Sequence, residues 1–207
     1  MNMTRSLIAV AALAATTAAL PVQAQDTGNW IVRARAVNLD SANKDGTGLG
    51  LTINDKTLPE VDISYFFTKN VAAELILTVP QGQTVYSKGT AIGKFKHLPP
   101  TLTLQYHFTD LGSVRPYVGA GLNYTNISSV GFDPAVEAAL KGKINLDRNS
   151  VGFAVQAGVD VPIGGGWLLN LDVKKVQIGT NVKLNGAKVG GFDVDPLLIG
   201  VGLGKRF

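Results

Sequence analysis

Cysteine is absent from the 207 residues, so no disulfide, thiolate metal site or cysteine nucleophile is available. Histidine occurs only at His97 and His107. Neither sits in a nucleophile motif, and His97 beside Ser87 does not by itself make a catalytic arrangement, so no enzyme is expected. Past residue 24 no segment approaches eighteen consecutive apolar residues, which excludes a helical membrane protein. The formal charge of +4 is spread along the chain without a basic block, so nucleic acid is not an expected partner. Asp40 to Gly46 lacks the ligand spacing and closing glutamate of a calcium loop and reads as a solvated turn. No cofactor or metal is implied.

What is present begins with an address. Arg5 precedes a small-residue apolar core from Ser6 to Leu20, and Val22-Gln23-Ala24 closes it with the small residues a signal peptidase reads. The apolar core is short for a membrane anchor. Residues 1–24 are therefore expected to be a cleavable signal peptide, leaving 25–207 as one exported domain.

Glycine is abundant and proline falls at turns, which suits many strands with tight connections. The clearest pattern runs from Leu98 to Thr125. Leu102, Leu104, Tyr106 and Phe108 alternate with Thr103, Gln105 and His107. After the turn Thr109–Ser113, Val114, Pro116, Val118, Ala120, Leu122 and Tyr124 alternate with polar or small residues. A period of two puts one set on each face of a sheet, here an oily face of bilayer length and a polar one. The same alternation marks Asn29–Val37, Pro59–Phe67, Val71–Val79, Ser150–Ile163, Trp167–Gly179 and Pro196–Phe207. The connections between these strands run long, short, long, short. That matches an eight-stranded antiparallel transmembrane β-barrel with four long outer segments and short periplasmic turns. Trp30, Phe67, Phe108, Trp167 and Phe207 then all fall at periplasmic strand ends, as an interfacial aromatic girdle requires. In the third long segment, Asp133-Pro134 reads as a capped helix start.

On the inward face the alternation places Arg33, Arg35, Glu60, Asp62, Glu74, Gln105, His107, Arg115, Gln156, Asp160, Asp172 and Lys174. An eight-stranded barrel has room only for its own side chains, and both signs of charge are present, so these are expected to pair into a lumen plug. Pro99 and Pro100 have no N–H to donate to a sheet ladder. They mark either a side opening in the barrel wall or simply a strand start at a loop boundary. Leu49, Leu51, Ile53, Leu58, Tyr86, Ile92, Phe95 and Leu98 stand in the long polar segments. Together they could line a hydrophobic pocket at the outer mouth, or serve as ordinary loop packing.

The stretches HLPPTL at His97–Leu102, RPYVGAGLNYT at Arg115–Thr125 and AGVD at Ala157–Asp160 resemble the OmpW family of small outer-membrane barrels. So do Trp167-x-Leu169-Asn170, the Asp195-Pro196 step and the terminal Arg206-Phe207. The resemblance covers essentially the whole mature chain. It implies a bacterial outer-membrane channel for passive uptake of small hydrophobic molecules, as in members that resemble the alkane-import protein AlkL, with lateral exit near Pro99-Pro100. It also implies that Phe207 is the signal read by the barrel insertion machinery. Lys205 departs from the family, standing where an aromatic is usual, and is expected either to weaken insertion or to snorkel toward the headgroups. The alternative is a structural or receptor barrel whose outer loops bind lipopolysaccharide, phage or bacteriocin. Expected partners are hydrophobic solutes, outer-membrane lipids and the insertion machinery.

Overall fold

The period-two segments close into a barrel. In the computed structural model, which describes residues 28–207, strand β1 (Trp30–Asp40) leads through the short β2 (Lys44–Asp45) and β3 (Leu51–Ile53) to β4 (Lys56–Phe66). Strands β5 (Val71–Thr78), β6 (Gln81–Ser87), β7 (Thr90–Leu98), β8 (Thr101–His107) and β9 (Arg115–Phe132) follow. A six-residue helix α1 (Pro134–Ala139) precedes β10 (Ile144–Leu146), β11 (Asn149–Gly164) and β12 (Trp167–Val176). Then come β13 (Gly179–Leu184), β14 (Ala187–Asp193) and β15 (Leu197–Arg206). The expected signal peptide, 1–24, lies outside the described residues.

Eight of these strands pair in order, β1-β4-β5-β8-β9-β11-β12-β15, every pair antiparallel. The ring closes where β15 meets β1, from Ile31 opposite Arg206 to Asp40 opposite Leu197. Closure gives each of the eight strands a partner on both sides, the condition for spanning lipid with sheet. Outward positions form an apolar band, with Leu102 at 57%, Val151 at 73% and Phe153 at 67% exposure. A water-soluble surface would not carry such a band. Trp30, Phe67, Phe108, Trp167 and Phe207 are exposed at the periplasmic end. Tyr65 packs between Trp30 (4.8 Å) and Phe67 (5.2 Å) there. Lys205 lies 5.0 Å over the Trp167 ring and donates to the Gly165 carbonyl at 2.6 Å. Its ammonium thus reaches the interface along an aromatic face.

The long outer segments, expected as loops, are mostly strand. The β6–β7 hairpin and β3 extend the barrel wall outward along the far half of β9, while β10, β13, β14 and β2 form a second, four-stranded sheet. These strands escape a period-two reading because their inward face mixes Gln81, Gln83 and His97 with Val85 and Phe95. A register shift after Val85 also breaks the count. The helix starts where Asp133-Pro134 indicates, with the Asp133 carboxylate accepting from Ala135 N at 2.8 Å.

Glycines make room inside. On β15, Gly200, Gly202 and Gly204 face Val37, Arg35 and Arg33. A methyl at Gly202 would stand 2.1 Å from the Ala34 carbonyl oxygen, and one at Gly121 1.9 Å from that of Leu102. At Gly131 it would meet nothing within 4 Å. Gly121→Ala and Gly202→Ala should each lower unfolding stability in lipid vesicles by roughly 1–3 kcal/mol. Gly131→Ala should stay within about 0.5 kcal/mol of the parent. Urea titration followed by tryptophan fluorescence measures all three.

Candidate functional site: a closed lumen under an apolar vestibule

The lumen is filled by a network of ions. Arg33, on β1, clamps Asp160 with two bonds, Nε to Oδ1 at 3.1 Å and Nη2 to Oδ2 at 2.6 Å, and reaches Glu74 at 3.1 Å and Ser64 at 2.7 Å. Arg35 contacts Asp62 at 3.0 Å, Glu60 and Asp172 at 3.3 Å and Glu74 at 3.4 Å. Lys174 bridges Glu60 at 2.5 Å and Asp172 at 3.0 Å. Three cations thus face five carboxylates, and neutral donors stabilise the surplus negative charge. Gln105 and Gln156 donate to Glu74 at 2.7 and 2.9 Å, Tyr117 to Asp172 at 2.8 Å, and Asn170 to Asp160 at 2.8 Å. All of these side chains are buried. His107 bonds Gln105 at 2.9 Å and stacks on Tyr117 at 4.9 Å. Arg115 is half-buried at the periplasmic end of β9, opposite Asp160 in the ladder.

Tyr117, Asn170 and Ser64 belong to this network although no charge marks them. Their signal is phase alone, since each alternates with lipid-facing neighbours.

Above the plug the interior turns apolar. Glu60 and Lys174 form the floor of a chamber walled by Leu39, Leu58, Ile76, Val176, Ile178 and Leu198. It is nearly closed, with a cavity volume of about 30 Å³. Farther out, Leu51, Ile53, Val85, Ile92, Phe95, Ile127, Val182 and Phe192 pack into one buried cluster from both outer sheets. At the mouth, Leu49, Leu51, Ile92, Val136, Leu140 and Ile144 line an open pocket of about 370 Å³. Of the eight residues expected to line one mouth pocket, Leu49, Leu51 and Ile92 do so. Ile53 and Phe95 belong to the cluster beneath, and Leu58 lies deeper, in the chamber wall. Tyr86 and Leu98 are half-buried and line neither cavity. Tyr86 follows Val85 on β6, so plain alternation from the inward Gln81, Gln83 and Val85 puts it on the outer face.

The prolines interrupt the wall beside the chamber. On either side of the prolines β7 and β8 pair with β9 in the same register, Leu98 opposite Asn126 and Thr101 opposite Asn123. Pro99-Pro100 therefore lies within one long strand. Toward β9 the connection holds, because Tyr124 N donates to the Pro100 carbonyl at 3.1 Å and Asn123 Nδ2 donates to the Pro99 and Pro100 carbonyls at 3.2 Å. Toward β5 it breaks. The β5–β8 ladder ends at Ile76 opposite Thr101, and pairing resumes only at Gln81 opposite His97. Leu77–Pro80 and Leu98–Pro100 thus face each other without ladder pairing. Gln81 Nε2 covers part of the gap by donating to the Val79 carbonyl at 2.7 Å. Thr78, Gln81 and Pro99 also line the chamber.

Two buried side chains in the outer extension stand apart. Gln83 and His97, each 1% exposed, have no hydrogen-bond partner at any polar side-chain atom among the described residues. Leaving such a group unpaired costs roughly 1–3 kcal/mol. Burial, with a smaller contribution from Lys56, pushes the His97 pKa down to about 4, so its imidazole is neutral. Ser87 and His97 sit at opposite ends of the β6–β7 hairpin, six strand positions or roughly 20 Å apart, too far for a shared reaction. On the second sheet, Lys183 and Asn181 both bond Asp147 and hold its carboxyl below the usual range.

The model of the OmpW family matches residues 26–207. The outer-membrane protein y4mB of Sinorhizobium fredii is 42% identical over 86% of this chain and 80% of its own length. Outer membrane protein W of Vibrio cholerae is 32% identical over 99% of this chain and all of its own. The dibenzothiophene metabolism operon protein PahQ of Pseudomonas aeruginosa is 29% identical over 74% and 73%. Among solved structures, the crystal structure of OprG from Pseudomonas aeruginosa superposes with a TM-score of 0.77 at 25% identity, covering 87% of this chain and 96% of that one.

Removing one partner from the lumen network leaves charge buried and unpaired. Arg33→Ala should destabilise the barrel by about 3–5 kcal/mol. Adding Asp160→Ala should recover part of that loss. Urea unfolding in vesicles reads both.

Proposed function

The chain belongs to the OmpW family of outer-membrane barrels, and from that premise we propose that it admits small hydrophobic molecules by passive diffusion with lateral exit through its wall. The observation that carries this reading is the break in the β5–β8 ladder beside an apolar chamber whose floor is a buried ion pair. A solute collects in the mouth pocket, whose 370 Å³ falls in the range of small-molecule sites. It then crosses the apolar cluster to the chamber. Downward passage would take it into the charged plug, where it forms no compensating contacts. Sideways passage takes it through Leu77–Pro80 and Leu98–Pro100 into lipid.

The chamber must widen to pass a solute. The seam is the part of its wall with the fewest backbone hydrogen bonds, so it opens at the lowest cost. The driving force is the solute's gradient and its preference for apolar surroundings. The name of the relative PahQ, which refers to dibenzothiophene metabolism, accords with a fused-ring apolar cargo. Barrels of this family are, as a class, not enzymes. Lys94 and Lys96, exposed on the outer face of β7 above the apolar band, favour contact with lipopolysaccharide phosphates as a second, compatible role.

Cells with an intact outer membrane should take up naphthalene faster when they carry this protein, while arabinose entry stays unchanged. Pro99→Ala/Pro100→Ala restores two N–H donors to the strand and should return naphthalene entry toward the protein-free rate. Undiminished naphthalene entry in that variant removes the lateral exit. No acceleration by the parent protein removes the channel reading altogether.

A further inference from the structure

Gln83 and His97 share the inward face of the β6–β7 hairpin. Gln81 and His97 are paired, as are Gln83 and Phe95, so Gln83 stands one inward position farther from the membrane than His97. His97 lines the chamber; Ile92, farther along the same hairpin, lines the mouth pocket. The two polar side chains therefore occupy the constriction between these spaces, among Val85, Phe95 and Ile127 of the apolar cluster.

Among the described residues, the other buried polar side chains of the interior each have at least one polar partner, although single atoms such as Gln156 Oε1 and Asn170 Oδ1 have none. Each lumen ion meets a counter-ion, and Gln105, Gln156, Asn170 and Tyr117 all donate to carboxylates. Among the described residues only Gln83 and His97 are buried with neither a hydrogen bond nor an ion pair at any polar side-chain atom. Apolar residues there would complete the cluster at no such cost. An amide and a neutral imidazole each offer one kind of donor and one kind of acceptor. Together they match an uncharged head group that both donates and accepts.

We propose that Gln83 and His97 form a recognition point on the uptake path, selecting amphipathic solutes with a hydroxyl or similar uncharged head on an apolar body over plain hydrocarbons. This rests on the uptake reading above and narrows its cargo. A hydroxyl passing the constriction pairs with groups otherwise unpaired, so its desolvation is offset there. A hydrocarbon of equal length leaves them unpaired.

The test compares 1-octanol with n-octane. In cells carrying the parent protein, the rate of each is divided by its rate in protein-free cells. The ratio of the two accelerations should favour octanol, and Gln83→Leu/His97→Phe should lower that ratio by about twofold to tenfold. In the parent protein in lipid nanodiscs, octanol should shift the Gln83 side-chain amide and His97 ring nitrogen resonances, and octane should not. If both solutes enter faster but their ratio is equal in parent and variant, the selection is overturned and the channel stands. Equal spectral responses to octanol and octane overturn it as well, and decide the matter if the variant fails to fold. If neither solute is accelerated, the channel reading fails and this inference falls with it. The two substitutions remove unpaired polar groups, so thermal stability should hold or rise. A structural role for Gln83 and His97 predicts a fall.

Discussion

The clamp between Arg33 and Asp160, extended to Glu74, ties β1, β5 and β11 across the barrel axis. Strands so far apart on the ring share no ladder, so only side chains through the lumen can join them. The guanidinium suits this work because its planar fork binds one carboxylate with two parallel bonds and still reaches others. Removal from water is costly for every ion here, and the cost is met only because the network is nearly complete. The glycines of β15 belong to the same arrangement: side chains at Gly202 and Gly204 would compete with Arg35 and Arg33 for space. A lumen filled this way leaves no open path along the axis, and the proposed uptake therefore runs through the wall.

The proposed exit lies at the boundary between two regimes of pairing. β7, the prolines and β8 form one long strand along β9, so the barrel wall continues past the prolines without a change of register until the shift between Lys96 and Lys94. The interruption lies only on the side facing β5. Unpaired backbone in hydrocarbon costs several kcal/mol per group. Here the gap stands at the outer margin of the apolar band, and Gln81 and Asn123 take up carbonyls that the ladder leaves free. The seam is therefore weak without being open.

The membrane-spanning part was legible because lipid imposes the cleanest alternation a chain can show. Val61, Ile63 and Tyr65 against Glu60, Asp62 and Ser64 admit one phase only, and the structure has it. The lumen residues follow from the same count, Tyr117 and Asn170 included. The outer extension was not legible, since its inward face is partly polar by composition. Gln83 and His97 read as loop residues because the signal that would place them inside, neighbouring apolar residues in phase, is diluted by their own polarity. Tyr86 shows the converse: it is apolar enough for a pocket, but it alternates with Val85 and so stands on the outer face.

Opening the seam and keeping the plug shut are separable because they share little. Their nearest link runs through Thr78, which stands opposite Glu60 in the β4–β5 ladder and whose hydroxyl donates to the Pro59 carbonyl at 3.0 Å. That bond is a side-chain contact outside the β1–β4 ladder, in which Pro59 remains opposite Ala36. Turning the Thr78 and Gln81 side chains aside, with their ladder positions kept, would cost a few side-chain hydrogen bonds, each worth about 1 kcal/mol net. Displacing Glu60 would strip Arg35 and Lys174 of a shared counter-ion at several times that cost. The wall yields before the floor does. On the proposed reading, a solute that spreads the chamber is thereby turned toward lipid, with the plug left in place.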